Sequence, residues 1–297
     1  MAQTEPPGTL KLDLLHHVSS VAGVDADLVW AATEDVLGTL GSQDYGALAR
    51  RSPGLGKGWD WRSYLHLSSI RIAHTAALLR RRGVTGGRLL DYGAYFGNFA
   101  LFARRAGFDT WAFDSYRAYD GAFEPSIRLM ETRGVHIADA AEIGYDLAGL
   151  PAASFDVVLL MGVIEHIPHT PRLLLDAVGR VLRPGGTLVL ETPNLAYAYT
   201  RRKLAEGRPI GAPIELQFET EIPFEGHHRE YTLDEIVWIL RRVGQQAIES
   251  VLYNYSLYGL SEVSGTDLSI FNEMERDPSL RELIMTASVK PGSVKPG

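Results

Sequence analysis

The chain has no cysteine, which removes disulfides, thiolate metal sites and cysteine nucleophiles together. It also lacks an excess of positive charge. Its 29 Lys and Arg against 36 Asp and Glu leave a formal net charge of −7, so it has no general attraction for phosphate backbones and nucleic acid is not an expected partner. No stretch approaches the roughly 20 apolar residues of a membrane span, and the opening MAQTEPPGTL lacks the basic segment and apolar core of a signal peptide. The expectation is a cytoplasmic protein without a membrane partner. Finally, no strand pattern precedes about residue 85. Residues 1–85 read as a helical lobe, broken by the Pro/Gly-rich RSPGLGKG at 51–58 and carrying a helix whose Leu65, Ile72, Ala76 and Leu79 share a face. The arginine run at 80–82 reads as a solvated helix end.

From residue 88 the pattern alternates. RLLDYG is a short buried strand entering a glycine turn, and Phe99, Phe102 and Ala106 then recur at helical spacing. TWAFD (110–114), VHIAD (135–139), FDVVLLM (155–161) and TLVLE (187–191) are further strands. The continuous apolar run of FDVVLLM suits a strand covered on both faces. Thr170-Pro171 opens a helix, and RPGG (183–186) turns the chain into the strand at 187. Strands alternating with helices imply right-handed parallel crossovers and a doubly wound α/β sheet. Residues 192–230 are irregular and carry Tyr197, Tyr199, Phe218 and Phe224, as expected of a lid or a binding segment. Thr232 and Glu235 then form a capping box, and AIESVLY (247–253) and ELIMTASVK (282–290) close the strand list before a tail at 291–297.

The turn after the first strand carries the most chemistry. Asp91 ends the strand, and Gly93 and Gly97 let the backbone turn tightly under a ligand at the carboxyl edge of the sheet. Asp114, ending the second strand, is placed to bind vicinal ribose hydroxyls, and Asp139, ending the third, to reach an adenine amino group. A nicotinamide cofactor would need G-x-G-x-x-G, whereas this turn reads Gly93-Ala94-Tyr95-Phe96-Gly97.

The segments LLDYGAYFG, AFD, ADAAE, FDVVLLMGVIEHIPH and LRPGGTLVLETPN, in that order, resemble the class I S-adenosylmethionine-dependent methyltransferases. The likeness is to the small-molecule branch that includes the quinone-biosynthesis enzymes. It covers roughly residues 86–253 with a final strand at 282–290, so that 86–290 would form the methyltransferase domain and 192–230 its lid insertion. The resemblance implies a seven-stranded, mostly parallel sheet ending in an antiparallel hairpin. It implies S-adenosylmethionine as cofactor and S-adenosylhomocysteine as product. It assigns the methionine portion to Asp91, Gly93 and Gly97, the ribose to Asp114, the adenine to Asp139 and Ala140, and the space beneath the methyl donor to Met161 and Gly162. Tyr95 departs from the commonest family turn, which has glycine there; its ring must either point away from the cofactor or pack on it.

Methyl transfer to a hydroxyl benefits from a base, and His166, in VIEHIPH, stands where the mouth of the site should be. His227 and His228, in GHHREYT, close the lid segment. These three are the candidate catalytic residues. Glu165, His166 and His228 are metal-ligand types, but no pair of histidines has the helical spacing of a zinc site and no metal is expected. The expected acceptor is a small molecule, first an oxygen of a sugar-like or natural-product compound, then nitrogen or carbon. A homodimer is compatible with the chain, and so is a non-catalytic protein that binds the cofactor as a scaffold.

Overall fold

The structure, a computed structural model, describes residues 17, 20–21, 26–51, 58–140, 147–220, 226–260 and 262–292. Most of the 51–58 turn, Phe224 and the tail from 293 therefore lie outside the described residues.

Among the described residues, α1 (Ala26–Leu37), α2 (Tyr45–Arg51) and α3 (Trp61–Arg81) precede the first strand. Asp60 caps α3 by accepting from the Ser63 backbone N–H at 3.0 Å. The arginine run at its far end is not merely solvated. Arg81 donates to Glu249 at 2.8 Å and Arg82 to the Ala247 carbonyl at 2.9 Å, which ties the helix end to the last part of the sheet.

The alternating region then runs β1 (Arg88–Tyr92), α4 (Asn98–Arg105), β2 (Asp109–Asp114), α5 (Glu124–Thr132), β3 (His136–Asp139), β4 (Phe155–Met161), α6 (Arg172–Val181) and β5 (Leu182–Pro193). It continues with α7 (Ala198–Ala205), α8 (Ile214–Glu219), α9 (Leu233–Arg242), β6 (Gln246–Tyr253), α10 (Gly265–Arg276) and β7 (Leu283–Val289). The strands form one seven-stranded sheet in the order β3-β2-β1-β4-β5-β7-β6. β1 to β5 are parallel, and β7 runs antiparallel to both β5 and β6.

Side-chain alternation explains why β4 reads as continuously apolar. Val157 and Leu159 enter the core that α1, α3 and α4 close over one face, together with Leu89, Val189 and Met285. Val158 and Leu160 enter the opposite core with Leu90, Leu190, Leu174 and Val178 of α6, and Ile236 and Leu240 of α9. Both halves of the expected capping box at α9 form, Thr232 accepting from the Glu235 N–H and Glu235 accepting from the Thr232 N–H.

Several local expectations are corrected. RPGG does not precede a strand but lies inside it: β5 starts at Leu182, and the register with β4 shifts between Phe155 and Val157. The extra residues are paired at the far side, Gly185 donating to the Lys290 carbonyl and Lys290 to that of Gly186. Pro171 occupies the cap position of α6, and Thr170 supports it by accepting from Arg172 N–H at 3.3 Å. The 192–230 segment contains two short helices, α7 and α8. The final antiparallel pair, β6 and β7, forms as expected, and the residues between them, 254–282, include α10. Tyr197 and Tyr199 of the first insertion pack with Ile270 and Met274 of the second, so the two insertions support each other. Among the described residues no helix is long and apolar enough to cross a membrane.

Candidate active site

The strand order reverses between β1 and β4, and the crevice beyond their carboxyl ends is where open α/β sheets bind ligands. Asp91, on β1, is 1% exposed. Burial first, and the charge of Asp114 second, push its carboxyl up to about 7. One of its oxygens, Oδ2, is buried without a hydrogen-bond partner. A buried carboxylate in that condition fits a ligand that brings a donor, such as the ammonium of an amino acid.

The turn that follows is held by its neighbours. Gly93 and Ala94 donate their N–H groups to the Phe113 carbonyl at 2.8 and 3.2 Å. Gly93 and Gly97 have φ of +77° and +82°, which L-residues rarely adopt. Space is equally decisive: a Cβ on Gly93 would lie 2.6 Å from Val163 Cγ2, and one on Gly97 2.2 Å from Met130 Sδ. Asp114 clasps the same turn, its two carboxylate oxygens accepting from Tyr95 N–H at 2.8 Å and Ser115 N–H at 2.7 Å. Asp139 pairs in register with Asp114, and Ala140 N–H donates to the Asp114 carbonyl at 3.0 Å. The Asp139 side chain lies outside the described residues. Tyr95 has φ +51°, and its ring lies among aromatic neighbours, 4.6 Å from Phe123 and 4.8 Å from Phe96 between centroids.

At the end of β4, Met161 is buried. Gly162 N–H donates to the Glu191 carbonyl at 3.0 Å, and the glycine has φ +71°. A Cβ there would meet Arg71 Nη2 at 3.1 Å and Glu165 Oε1 at 3.4 Å. Arg71 is a buried cation that sequence reasoning missed. It reaches from α3 to Glu191, with Nε and Nη2 both 2.8 Å from Oε1. Tyr253 of β6 donates to the other oxygen of Glu191 at 2.9 Å. An arginine amid the apolar run SSIRIAHTAALL was the available signal, since a cation there must find a buried partner.

Beside this pair stands a histidine–carboxylate cluster. The His166 and His227 rings meet edge to face with centroids 4.8 Å apart. His227 Nδ1 is 3.0 Å from Glu230 Oε1. Burial opposes a charge on His227, but the Glu230 hydrogen bond and the negative charges of Glu165 and Glu230 outweigh it and raise its pKa. Glu165 is 2% exposed. Burial pushes it up to about 7 against the charge of His227 and the Thr192 hydroxyl, which donates to Oε2 at 3.0 Å. The backbone brings the third histidine in, because His228 N–H and Arg229 N–H donate to the Glu165 carbonyl at 2.8 and 3.3 Å. Glu165, His166 and His227 each offer one ligand atom within 4.8 Å of the others, so these three could hold a cation. His227 joins that set where the sequence pointed to His228.

The aromatic residues of the first insertion divide. Tyr197 and Tyr199 pack on α10, and Phe218 is 86% exposed. Trp61 is buried and Tyr64 packs against the same core.

A family profile described as "Methyltransferase domain" matches residues 64–250. Curated relatives include the ubiquinone biosynthesis O-methyltransferase of Xanthomonas campestris pv. campestris (strain B100), 30% identical over 135 residues that cover 43% of this chain and 51% of that protein. The enzyme of the same name from Xanthomonas axonopodis pv. citri (strain 306) is 31% identical over 128 residues with the same coverage. The chain thus spans about half the length of the curated relatives it matches. Among solved structures, a chain of the complex between the Haloferax volcanii Trm112 methyltransferase activator and a methyltransferase is similar in fold, with a TM-score of 0.53. It is 16% identical, and the match covers 84% of this chain and 98% of that one.

Proposed function

Because the chain belongs to the class I S-adenosylmethionine-dependent methyltransferases, we propose that it methylates a hydroxyl of a small molecule of sugar-like or natural-product type. The observation that carries the choice of oxygen is the cluster of Glu165, His166, His227 and Glu230 beside Gly162. A neutral hydroxyl is a poor nucleophile and gains from a base within reach. The similarity to enzymes named ubiquinone biosynthesis O-methyltransferases supports the same atom.

S-Adenosylmethionine, when bound, supplies a methyl group made electrophilic by a positively charged sulfur. The residues of the chain supply the rest. Asp91 offers its unpartnered oxygen to the ammonium of the methionine portion, over the turn formed by Gly93 and Gly97. Asp114 holds the ribose hydroxyls and, through Tyr95, the turn itself. Asp139 and Ala140 flank the adenine, and Met161 and Gly162 form the floor beneath the donor. His227 takes the proton that leaves the acceptor hydroxyl. With Nδ1 engaged by Glu230, Nε2 is left to receive it. His166 packs on the ring and His228 secures the loop through its backbone. The α3 helix and the 192–230 insertion cover the acceptor and exclude water.

The test is product analysis with methyl-labelled cofactor and a panel of small diols, phenols and amines, the label being located by mass spectrometry and NMR. Label on oxygen is expected. Label on nitrogen or carbon alone would reject the hydroxyl reading and leave the family membership intact.

A further inference from the structure

Tyr95 stands where the family turn commonly has glycine, yet it is not a loosely tolerated substitution. Its backbone is in the left-handed region at φ +51°. Two separate contacts hold it there. The N–H donates to Asp114 Oδ2 at 2.8 Å. The ring is wedged among Phe123 at 4.6 Å, Phe96 at 4.8 Å, Trp61 at 5.9 Å and Tyr119 at 6.3 Å between centroids. Those partners come from four places: Trp61 opens α3, Phe96 belongs to the turn, Tyr119 follows β2, and Phe123 caps α5. Phe96 and Phe123 are fully buried and pack on each other at 5.1 Å, and Trp61 meets Phe96 at 4.9 Å. A glycine would leave this space unfilled and remove one of the two ring contacts, those of Tyr95 and Phe96, that tie the turn to Trp61 of α3. The same helix carries Arg71, whose guanidinium meets Glu191 beside Gly162. Turn, ribose-binding acid and N-terminal helix therefore meet at one residue, whose backbone N–H holds Asp114 and whose ring, beside that of Phe96, reaches Trp61 of α3.

We propose that Tyr95 is a positioning residue for the cofactor: it presets the turn and Asp114 for binding and couples the filling of that pocket to the seating of α3 over the sheet. Preorganisation lowers the ordering cost of binding, and a ligand that engages Asp114 favours the arrangement in which Tyr95 and α3 are docked. The inference rests on the cofactor and not on the identity of the acceptor.

The probe is S-adenosylhomocysteine, with affinity measured by calorimetry and amide protection by hydrogen exchange, so no acceptor is required. Tyr95→Gly, which restores the common family residue, is expected to weaken binding by about tenfold and to abolish the rise in protection of residues 61–81 that the ligand causes in the wild type. Tyr95→Phe keeps the ring and should retain both. Tyr95→Asn tolerates the left-handed backbone without the ring and should behave as the glycine variant. Unchanged affinity in the glycine and asparagine variants, or no ligand-dependent protection of 61–81 in the wild type, overturns the proposal. Should neither variant fold, Trp61→Leu tests the coupling: ligand-dependent protection of 64–81 must disappear, and its persistence overturns the proposal as well.

Discussion

On the cofactor side, the polar contacts join neighbours in one strand–helix–strand unit: Tyr95 to Asp114, 19 positions away, and the Gly93 turn to Phe113. On the acceptor side they join distant segments: Arg71 to Glu191 across 120 positions, and Glu165 to Thr192 and to the backbone of His228. The polar frame of the first half comes from a single βαβ unit, although its turn also packs on Val163, Met130 and Trp61 from outside that unit. The second exists only after α3, β5 and the 192–230 insertion have met. Binding a shared cofactor needs a fixed local turn, whereas choosing an acceptor falls to segments that can vary without disturbing it.

That division can be broken by separating the two activities. His227→Ala should lower methyl transfer by about 10²–10⁴-fold while the affinity for S-adenosylhomocysteine, measured by calorimetry, stays unchanged. Loss of both together would mean that the two halves are not separable. The converse variant is Asp114→Ala. Removing a carboxylate that would take two ribose hydroxyls should cost at least about 100-fold in that affinity, at about 1.5–3 kcal/mol for each charge-assisted hydrogen bond.

A smaller effect follows from protons. Asp91 and Glu165 both stand at about 7 in the folded protein, against about 4 when unfolded. The folded state therefore holds more protons between these values, and the ligand-free protein loses stability as pH rises from about 4 to 7. Facing an ammonium, Asp91 must ionise. Affinity for S-adenosylhomocysteine should thus fall about tenfold for each pH unit below 7, with proton release seen by calorimetry in buffers of different ionisation enthalpy. Glu165, on the acceptor side, should contribute nothing to that release, so Glu165→Gln must leave it intact.

The smallest effect concerns the turn alone. Gly97→Ala forces a Cβ toward Met130 Sδ at a φ of +82°, and about 1–2 kcal/mol of strain should appear as a thermal midpoint lowered by roughly 2–6 °C. An equal fall for Gly211→Ala, where a Cβ meets nothing within 4 Å, would remove the argument from packing.

The same contrast governs how much could be read beforehand. The glycine turn, Asp114, the buried β4 and the Thr232–Glu235 box are local patterns, and each formed where the sequence put it. Arg71, Glu191 and Tyr253 carry no local signature of their association, because their proximity is created by the sheet order and by α3 lying across it. RPGG misled because glycine and proline usually signal a turn, while here Lys290, just past the neighbouring strand β7, completes their pairing. The α10 helix went unread between the strands expected at 247–253 and 282–290, because its buried positions are just Ile270 and Met274, too sparse a face to read as periodic, and β6 waits across it for a partner that starts at residue 283.

That wait has a consequence for synthesis. β7 follows both β5 and β6 in the chain, yet it lies between them. Until residues 283–289 leave the ribosome, β5 presents an unpaired edge and β6 has no neighbour, the condition that invites pairing with another chain. A nascent or truncated polypeptide ending before β7 could already own its glycine turn and remain aggregation-prone.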